Sequence, residues 1–178
     1  TAARLKKFNG MTADPLYHPP RLASQLRSGE YGNYVLSVGR LESVKRVELA
    51  VQAMRHVDKS IRLLVVGDGT YRQKIQQMAE QSGIEQRIDF LGQVSDKDLI
   101  DLYSKALAVI YVPYDEDYGY VTLEAFLAHR PVITAEDSGG PLEFVKHDVN
   151  GAVCQPEAES IASEINSLAG NRTKTAML

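Results

Sequence analysis

The sequence predicts an α/β fold, a doubly wound parallel sheet of the Rossmann-like kind, over roughly residues 33–170. Short apolar runs rich in β-branched residues alternate with longer stretches in which apolar residues recur at helical spacing. Alternation of this kind is typical of right-handed crossovers between buried parallel strands. Each of the first five apolar runs is followed by a loop that contains glycine, an acid or both.

The elements follow one another regularly along the chain. Six apolar runs are predicted to be strands, at 34–38, 61–66, 88–91, 107–112, 131–134 and 151–154. Four amphipathic stretches are predicted to be helices, at 45–57, 71–82, 95–106 and 119–129. Ahead of them, a basic helical turn ends at Gly10 and an extended Pro-Pro segment follows, so that this part of the chain is predicted to be a linker.

Composition limits the class of partner. The 178 residues suit one compact domain, and a net charge of −3 gives no electrostatic reason to expect nucleic acid. Cys154 has no partner for an internal disulfide, and the histidines show no zinc-ligand spacing: His18, His56, His129 and His147. No apolar run approaches the ~20 residues of a membrane helix, and no signal peptide precedes the first strand. We therefore expect a cytoplasmic protein that binds a small molecule, with no metal or other cofactor.

The loop after the first strand is suited to a diphosphate. Ligands of open parallel sheets bind at the carboxyl ends of the strands, where helix N-termini expose free N–H groups. Gly39 lets the backbone approach a ligand closely, and Arg40 and Lys45 add cationic charge near a helix start. The alternative is that Arg40 pairs with Glu42 on the surface and Lys45 begins a solvated helix face.

Two further glycine loops have explanations without a ligand. Gly67-Asp68-Gly69 lacks the third glycine of a dinucleotide fingerprint, and a tight turn with Asp68 or Thr70 as helix cap explains it. The Ser138-Gly139-Gly140 loop either presents free N–H groups to a ligand or only caps a helix.

The stretch EDYGYVTLEAF, residues 116–126, carries two glutamates around a helix start. Glu116 is predicted in the loop above the sheet and Glu124 about one turn inside the helix. The turn and the free N–H groups between them belong to Tyr118, Gly119, Tyr120 and Val121. Two carboxylates that flank an anion site suit a molecule with hydroxyls at both ends and phosphate in the middle, a nucleoside diphosphate sugar.

Two alternatives stay open for these acids. Acids near helix starts are common for dipole reasons alone, so that both glutamates would be solvated. The triplet Asp115-Glu116-Asp117 is also of a kind that holds a divalent cation. The cation is disfavoured, because a parallel sheet already offers arginine, lysine and helix N-termini to neutralise phosphate.

Five segments together resemble, in order and spacing, the C-terminal domain of the retaining GT-B glycosyltransferases of family 4, the glycosyl transferases group 1. The segments are SVGRLESVKR, LLVVGDGT, IDFLGQVSD, EDYGYVTLEAFLAHRPVIT and SGGPLEFVKHDVNGAV. The similarity covers nearly all of residues 34–155, and its strongest element is the E-x7-E signature formed by Glu116 and Glu124.

The resemblance implies a role for each candidate residue. Arg40 and Lys45 would bind the donor diphosphate, and Glu116 would contact hydroxyls of the transferred sugar. Glu124 would hydrogen-bond the ribose. The backbone of Gln93 and Val94 would lie beside the nucleobase.

The resemblance also implies the domain organisation. Residues 1–32 would be the linker and remnant of an N-terminal domain, 33–170 the donor-binding domain and 171–178 a tail. The partners would be a nucleoside diphosphate sugar, the N-terminal domain and, for the full-length protein, a membrane surface. This chain alone would be inactive, because the family carries most of the acceptor site on the N-terminal domain.

Two other function classes compete with a glycosyltransferase. A non-catalytic nucleotide-sugar sensor on the same fold is the alternative that the sequence leaves open. A nicotinamide-dependent oxidoreductase is disfavoured, because the glycine fingerprint is incomplete and no acid ends the second strand.

Overall fold

Six parallel strands form one sheet in the computed structural model of the protein, which describes residues 2–171. The strands are β1 (Tyr34–Val38), β2 (Arg62–Val66), β3 (Ile88–Gly92), β4 (Ala108–Ile110), β5 (Val132–Ala135) and β6 (Gly151–Cys154). Their order in the sheet is β3-β2-β1-β4-β5-β6, so that the winding reverses between β1 and β4. The predicted fold class is confirmed. The tail predicted at 171–178 lies, beyond Asn171, outside the described residues.

Within residues 2–171, six α-helices accompany the sheet. They are α1 (Ala2–Asn9), α2 (Val47–Ala53), α3 (Arg72–Gln81), α4 (Asp96–Lys105), α5 (Tyr120–Leu127) and α6 (Ala158–Gly170). Helix α2 begins later than predicted, because Arg46 has a left-handed backbone (φ 49°) and ends a separate 3-10 turn at Ser43–Lys45. Helix α6 lies outside the four predicted stretches, although Ile161, Ile165 and Leu168 recur at helical spacing and are buried.

Both faces of the sheet are covered by apolar side chains. Because side chains alternate along a strand, Val35 belongs to one buried cluster and Leu36 to the other. Residues of α2, α3 and α6 join the first cluster, and residues of α4 and α5 join the second. Among residues 2–171, no helix combines the length and the apolarity that are required to span a bilayer.

The glycines after β2 are required by the contact between neighbouring loops. A Cβ on Gly67 would lie 1.9 Å from the carbonyl oxygen of Gly39, and one on Gly69 would lie 2.4 Å from that of Leu41. The φ of Gly67 is +121°, which also favours glycine. Packing of one loop on another therefore explains this tight turn without a ligand.

The predicted cap of α3 is wrong. Asp68 accepts a hydrogen bond from the N–H of Gly69 at 2.8 Å, and the Thr70 hydroxyl donates to Glu42 at 2.8 Å. No side chain caps α3, whose N-cap residue is Tyr71. The carboxylate of Glu42 is thus engaged by Thr70 and not by Arg40.

Arg87, which directly precedes β3, ties the segment between α2 and β2 to the start of β3. Its guanidinium donates to the carbonyl oxygens of Met54, Val57, Asp58 and Ile61 at 2.7–3.1 Å. Arg87→Met is expected to lower the free energy of unfolding by about 2 kcal/mol, because these carbonyls lose a charged donor. Urea denaturation measures the change.

The matched control is Arg27→Met, which removes an arginine whose side chain is 60% exposed and paired with Asp101. Exposed ion pairs contribute little, so we expect a change below about 0.5 kcal/mol. Equal urea midpoints for the two variants would show that the hydrogen bonds of Arg87 stabilise the fold no more than an exposed ion pair does.

Candidate functional site

A cleft of about 390 Å³ opens at the carboxyl ends of β1, β2 and β3. Four of the predicted site residues line it: Gly39, Arg40, Gln93 and Val94. The guanidinium of Arg40 is exposed and makes no hydrogen bond within residues 2–171, which leaves its donors available to an anion. Glycines, aliphatic residues and one arginine are among the residues that line this cleft, and they suit a flat heterocycle joined to phosphate.

Lys45, Glu116 and Tyr111 form a hydrogen-bonded group where β1 and β4 end. The Nζ of Lys45 donates to Glu116 Oε2 in a short hydrogen bond and lies 3.4 Å from the Tyr111 hydroxyl. That hydroxyl donates to the same Oε2 at 3.0 Å. Burial raises the pKa of Glu116, but the hydrogen bonds and the charge of Lys45 lower it by more. The pKa of Glu116 therefore lies below its ordinary value. Glu116 is therefore ionised at neutral pH.

Arg46 holds the loop that carries Lys45. Its guanidinium binds both carboxylate oxygens of Asp137 at 2.6 and 2.8 Å and donates to the carbonyls of Val112 and Pro113. The hydrogen bond and the charge of Arg46 lower the pKa of Asp137. These contacts join the loops after β1, β4 and β5, so that Lys45 is fixed beside Glu116.

The Ser138–Gly140 loop holds the backbone of Glu116. The N–H of Glu116 donates to the Ser138 carbonyl at 3.0 Å, and the N–H of Gly140 donates to the Glu116 carbonyl at 2.6 Å. A Cβ on Gly139 would lie 2.6 Å from the carbonyl oxygen of Glu116. The N–H of Gly140 is therefore bound by the Glu116 carbonyl. The sequence predicts either N–H groups that face a ligand or a helix cap, and neither prediction includes this contact.

Helix α5 begins beside this group. Gly119 is buried with φ +80°, and a Cβ there would lie 3.0 Å from Pro141 and 3.1 Å from the Tyr111 ring. The N–H groups of Gly119, Tyr120 and Val121 donate to no acceptor within residues 2–171. The predicted free helix start is thus present, next to Lys45 and Glu116.

Glu124 lies half-buried in α5, one turn further along. The hydroxyl of Tyr103, which is fully buried in α4, donates to Glu124 Oε2 at 2.8 Å. Burial raises the pKa of Glu124, and the hydrogen bond from Tyr103 opposes this. The structure therefore places Glu116 and Glu124 on either side of the helix start, as the sequence predicts.

The side chains of Tyr118 and Tyr120 turn toward the N-terminal segment. The Tyr118 hydroxyl donates to the His18 carbonyl at 2.8 Å, and the Tyr120 hydroxyl contacts the His18 ring. The two tyrosine rings meet edge to face with centroids 4.9 Å apart. The two hydroxyls are therefore engaged by His18, and the binding role predicted for these residues remains a prediction.

The acidic triplet divides between two partners. Asp115 and Asp117 pair with Arg4, whereas Glu116 pairs with Lys45. In the part of the chain that the structure describes, no three His, Cys, Asp or Glu side chains are grouped to hold a metal ion.

Sequence reasoning missed three residues of this site: Arg46, Tyr103 and Tyr111. The available signals were weak. Tyr111 is an aromatic residue within an otherwise aliphatic run, and Arg46 directly follows a predicted phosphate ligand.

Comparison with known proteins gives a consistent result. Residues 20–178 match the family model described as Glycosyl transferases group 1. The human alpha-1,3/1,6-mannosyltransferase ALG2 is 34% identical over 139 residues, which is 69% of this chain and 33% of that protein. An uncharacterized glycosyltransferase of Methanocaldococcus jannaschii, MJ1607, is 34% identical over 131 residues, 72% of this chain and 33% of its own length. The chain thus spans about one third of the length of these relatives.

Solved structures share the fold. HepE of Anabaena, in complex with UDP and glucose, has a TM-score of 0.77 and 25% identity, covering 99% of this chain and 44% of its own. The C-terminal domain of LpcC, a glycosyl transferase group 1 family protein of Francisella tularensis, has a TM-score of 0.77 at 18% identity. That match covers 87% of this chain and 90% of the solved domain, and it concerns the fold alone.

Proposed function

This chain belongs to the glycosyl transferases group 1 family, and we propose that it forms the donor-binding part of a glycosyltransferase that retains anomeric configuration. The observation that carries the proposal is the ion pair of Lys45 and Glu116 beside the free N–H groups of α5. The site thus offers a cation and a helix start, which match a diphosphate, and an ionised acid, which matches sugar hydroxyls. A nucleoside diphosphate sugar carries both groups.

The remaining residues accommodate the rest of the donor. The cleft of Gly39, Gln93 and Val94 takes the nucleobase, and Glu124 accepts hydrogen bonds from the ribose hydroxyls. Arg40 also lines this cleft, and its guanidinium binds the diphosphate. HepE, which shares the fold at 25% identity, was solved with UDP and glucose, and this supports the same class of ligand.

The reaction needs charge stabilisation at the leaving group. As the bond between the sugar carbon and the diphosphate breaks, its electron pair passes to the diphosphate oxygen. A hydroxyl oxygen of the acceptor forms the new bond to the same carbon, and its proton passes to the departing diphosphate. Lys45 and Arg40 stabilise that charge, as does the start of α5. Glu116, already bound by Lys45 and Tyr111, accepts hydrogen bonds from the sugar and fixes its orientation.

The full-length protein supplies what this part lacks. We propose that residues 1–32 lead from an N-terminal domain that holds the acceptor, and that this chain alone is inactive. A cytoplasmic location and contact with a membrane surface by the full-length protein belong to the same proposal.

Donor turnover tests the proposed function. The full-length protein is incubated with UDP-glucose, GDP-mannose and ADP-glucose, and the release of nucleoside diphosphate and the anomer of the sugar product are followed by NMR. We expect one donor to be consumed with its anomeric configuration retained. Binding of a donor without turnover would favour the sensor, and an inverted product would contradict the mechanism.

Chelation gives a second prediction. Activity is expected to survive EDTA, because Lys45, Arg40 and the start of α5 neutralise the diphosphate without a cation. The measurement is donor turnover before and after dialysis against EDTA. If activity disappears and returns with Mg²⁺ or Mn²⁺, the acids at 115–117 must ligate the ion in the bound state.

A further inference from the structure

Two tyrosines from the core each hold one glutamate of the site. Tyr103 donates to Glu124 Oε2 at 2.8 Å, and Tyr111 donates to Glu116 Oε2 at 3.0 Å. The first tyrosine lies in α4 and the second directly follows β4. Each bond therefore ties a carboxylate at the site to a separate element of the fold.

Packing alone does not account for the hydroxyl groups. The two side chains are 0% and 6% exposed and belong to the same apolar cluster, which a phenylalanine ring would fill equally well. A hydroxyl in such surroundings is costly unless it is paired. Burial raises the pKa of Tyr103 and of Tyr111, so that both stay protonated at neutral pH and act as donors.

We propose that Tyr103 and Tyr111 are positioning residues of the donor site, an inference that rests on the proposed function. Each binds Oε2 of its glutamate and so fixes the orientation of the carboxylate. No other hydrogen bond reaches the Glu124 carboxylate within residues 2–171, and its Oε1 is left for a hydroxyl of the ligand.

The two tyrosines act on different parts of the donor. Tyr103 supports the glutamate assigned to the ribose, so its effect extends to every nucleoside diphosphate ligand. Tyr111 supports Glu116 and also contacts Lys45, so its effect belongs to the sugar and to the chemical step. Substitution by phenylalanine keeps the ring and removes only the hydroxyl, which makes the two contributions separable.

The test combines calorimetry with kinetics on the full-length protein. UDP, GDP and ADP are titrated first, and the tightest binder serves as the probe, together with its glucose or mannose conjugate. Tyr103→Phe is expected to raise Kd for the diphosphate and for the conjugate alike by about three- to tenfold. Tyr111→Phe is expected to leave Kd for the diphosphate unchanged, because Glu116 still holds Lys45, and to lower kcat by about the same factor.

Tyr34→Phe is the matched control. Its half-buried hydroxyl donates to the Leu102 carbonyl at 2.7 Å and contacts neither glutamate. Burial raises the pKa of Tyr34 to about 12, so this variant also loses a protonated donor in apolar surroundings. We expect it to lower the unfolding temperature without changing Kd or kcat.

The outcomes separate this inference from the proposed function. If the wild-type protein binds and turns over the probe but all three variants behave alike, the positioning role is wrong and the function stands. If Tyr103→Phe raises Kd only for the conjugate, the assignment of Tyr103 to the ribose and of Tyr111 to the sugar is wrong. If the wild-type protein binds none of the probes, the function and this inference fail together.

Discussion

Replacing Lys45 by alanine in the full-length protein is expected to lower kcat by roughly 30- to 1000-fold. The Lys45 side chain is only 15% exposed and its ammonium group lies against Glu116, so that the charge is held at the site before any ligand arrives. A preorganised cation of this kind contributes about 2 to 4 kcal/mol to the transition state, because the charge on the leaving diphosphate develops beside it. Steady-state turnover of the donor measures the loss.

The variant has a second consequence inside the protein. Without Lys45, Glu116 loses its strongest stabilising contact, and burial then raises the pKa of the carboxyl group. The acid limb of the pH–rate profile is expected to move to higher pH, because Glu116 acts as a carboxylate.

The control for Lys45→Ala is Lys105→Ala, an exposed lysine at the end of α4. It is expected to leave kcat unchanged, and both variants are expected to keep the wild-type circular dichroism. A Lys45 variant with normal turnover would show that the diphosphate lies elsewhere.

The fold was largely predictable because a parallel sheet leaves strong local patterns. Strands buried on both faces form continuous apolar runs, and all six appear in the sequence. Helix α6 was missed, although its apolar face is regular, since no strand follows it to complete the alternation. The start of α2 was also misplaced, because the left-handed turn at Arg46 is set by contacts with distant loops.

The site was predictable only where it depends on position along the chain. Glu116, Lys45 and the start of α5 follow strands whose carboxyl ends must meet, so that topology alone brings them together. The bonds from Tyr103 and Tyr111 depend on which face of the core each ring joins. Such long-range pairings leave no mark on local sequence, and only the three-dimensional structure reveals them.

The different roles of the two glutamates are the centre of this account. Glu124, held by Tyr103 inside α5, is assigned to the ribose, and Glu116, held by Lys45, is assigned to the transferred sugar. Glu124→Ala is expected to weaken binding of the free diphosphate and of the intact donor equally. Glu116→Ala is expected to weaken binding of the intact donor alone. A lost hydrogen bond to a charged group costs about 1.5 to 3 kcal/mol, which corresponds to roughly 10- to 150-fold in Kd.

Glu164→Ala serves as the control, because this glutamate lies in α6 and, among the described residues, makes no hydrogen bond or ion pair with a residue of the proposed donor site. Calorimetric titration of the wild type and the three variants, with the free diphosphate and with the intact donor, tests the central claim most directly. We expect equal losses for both ligands in Glu124→Ala, a loss for the intact donor only in Glu116→Ala, and none in the control. Equal losses for both ligands in Glu116→Ala, or no loss in Glu124→Ala, would contradict it.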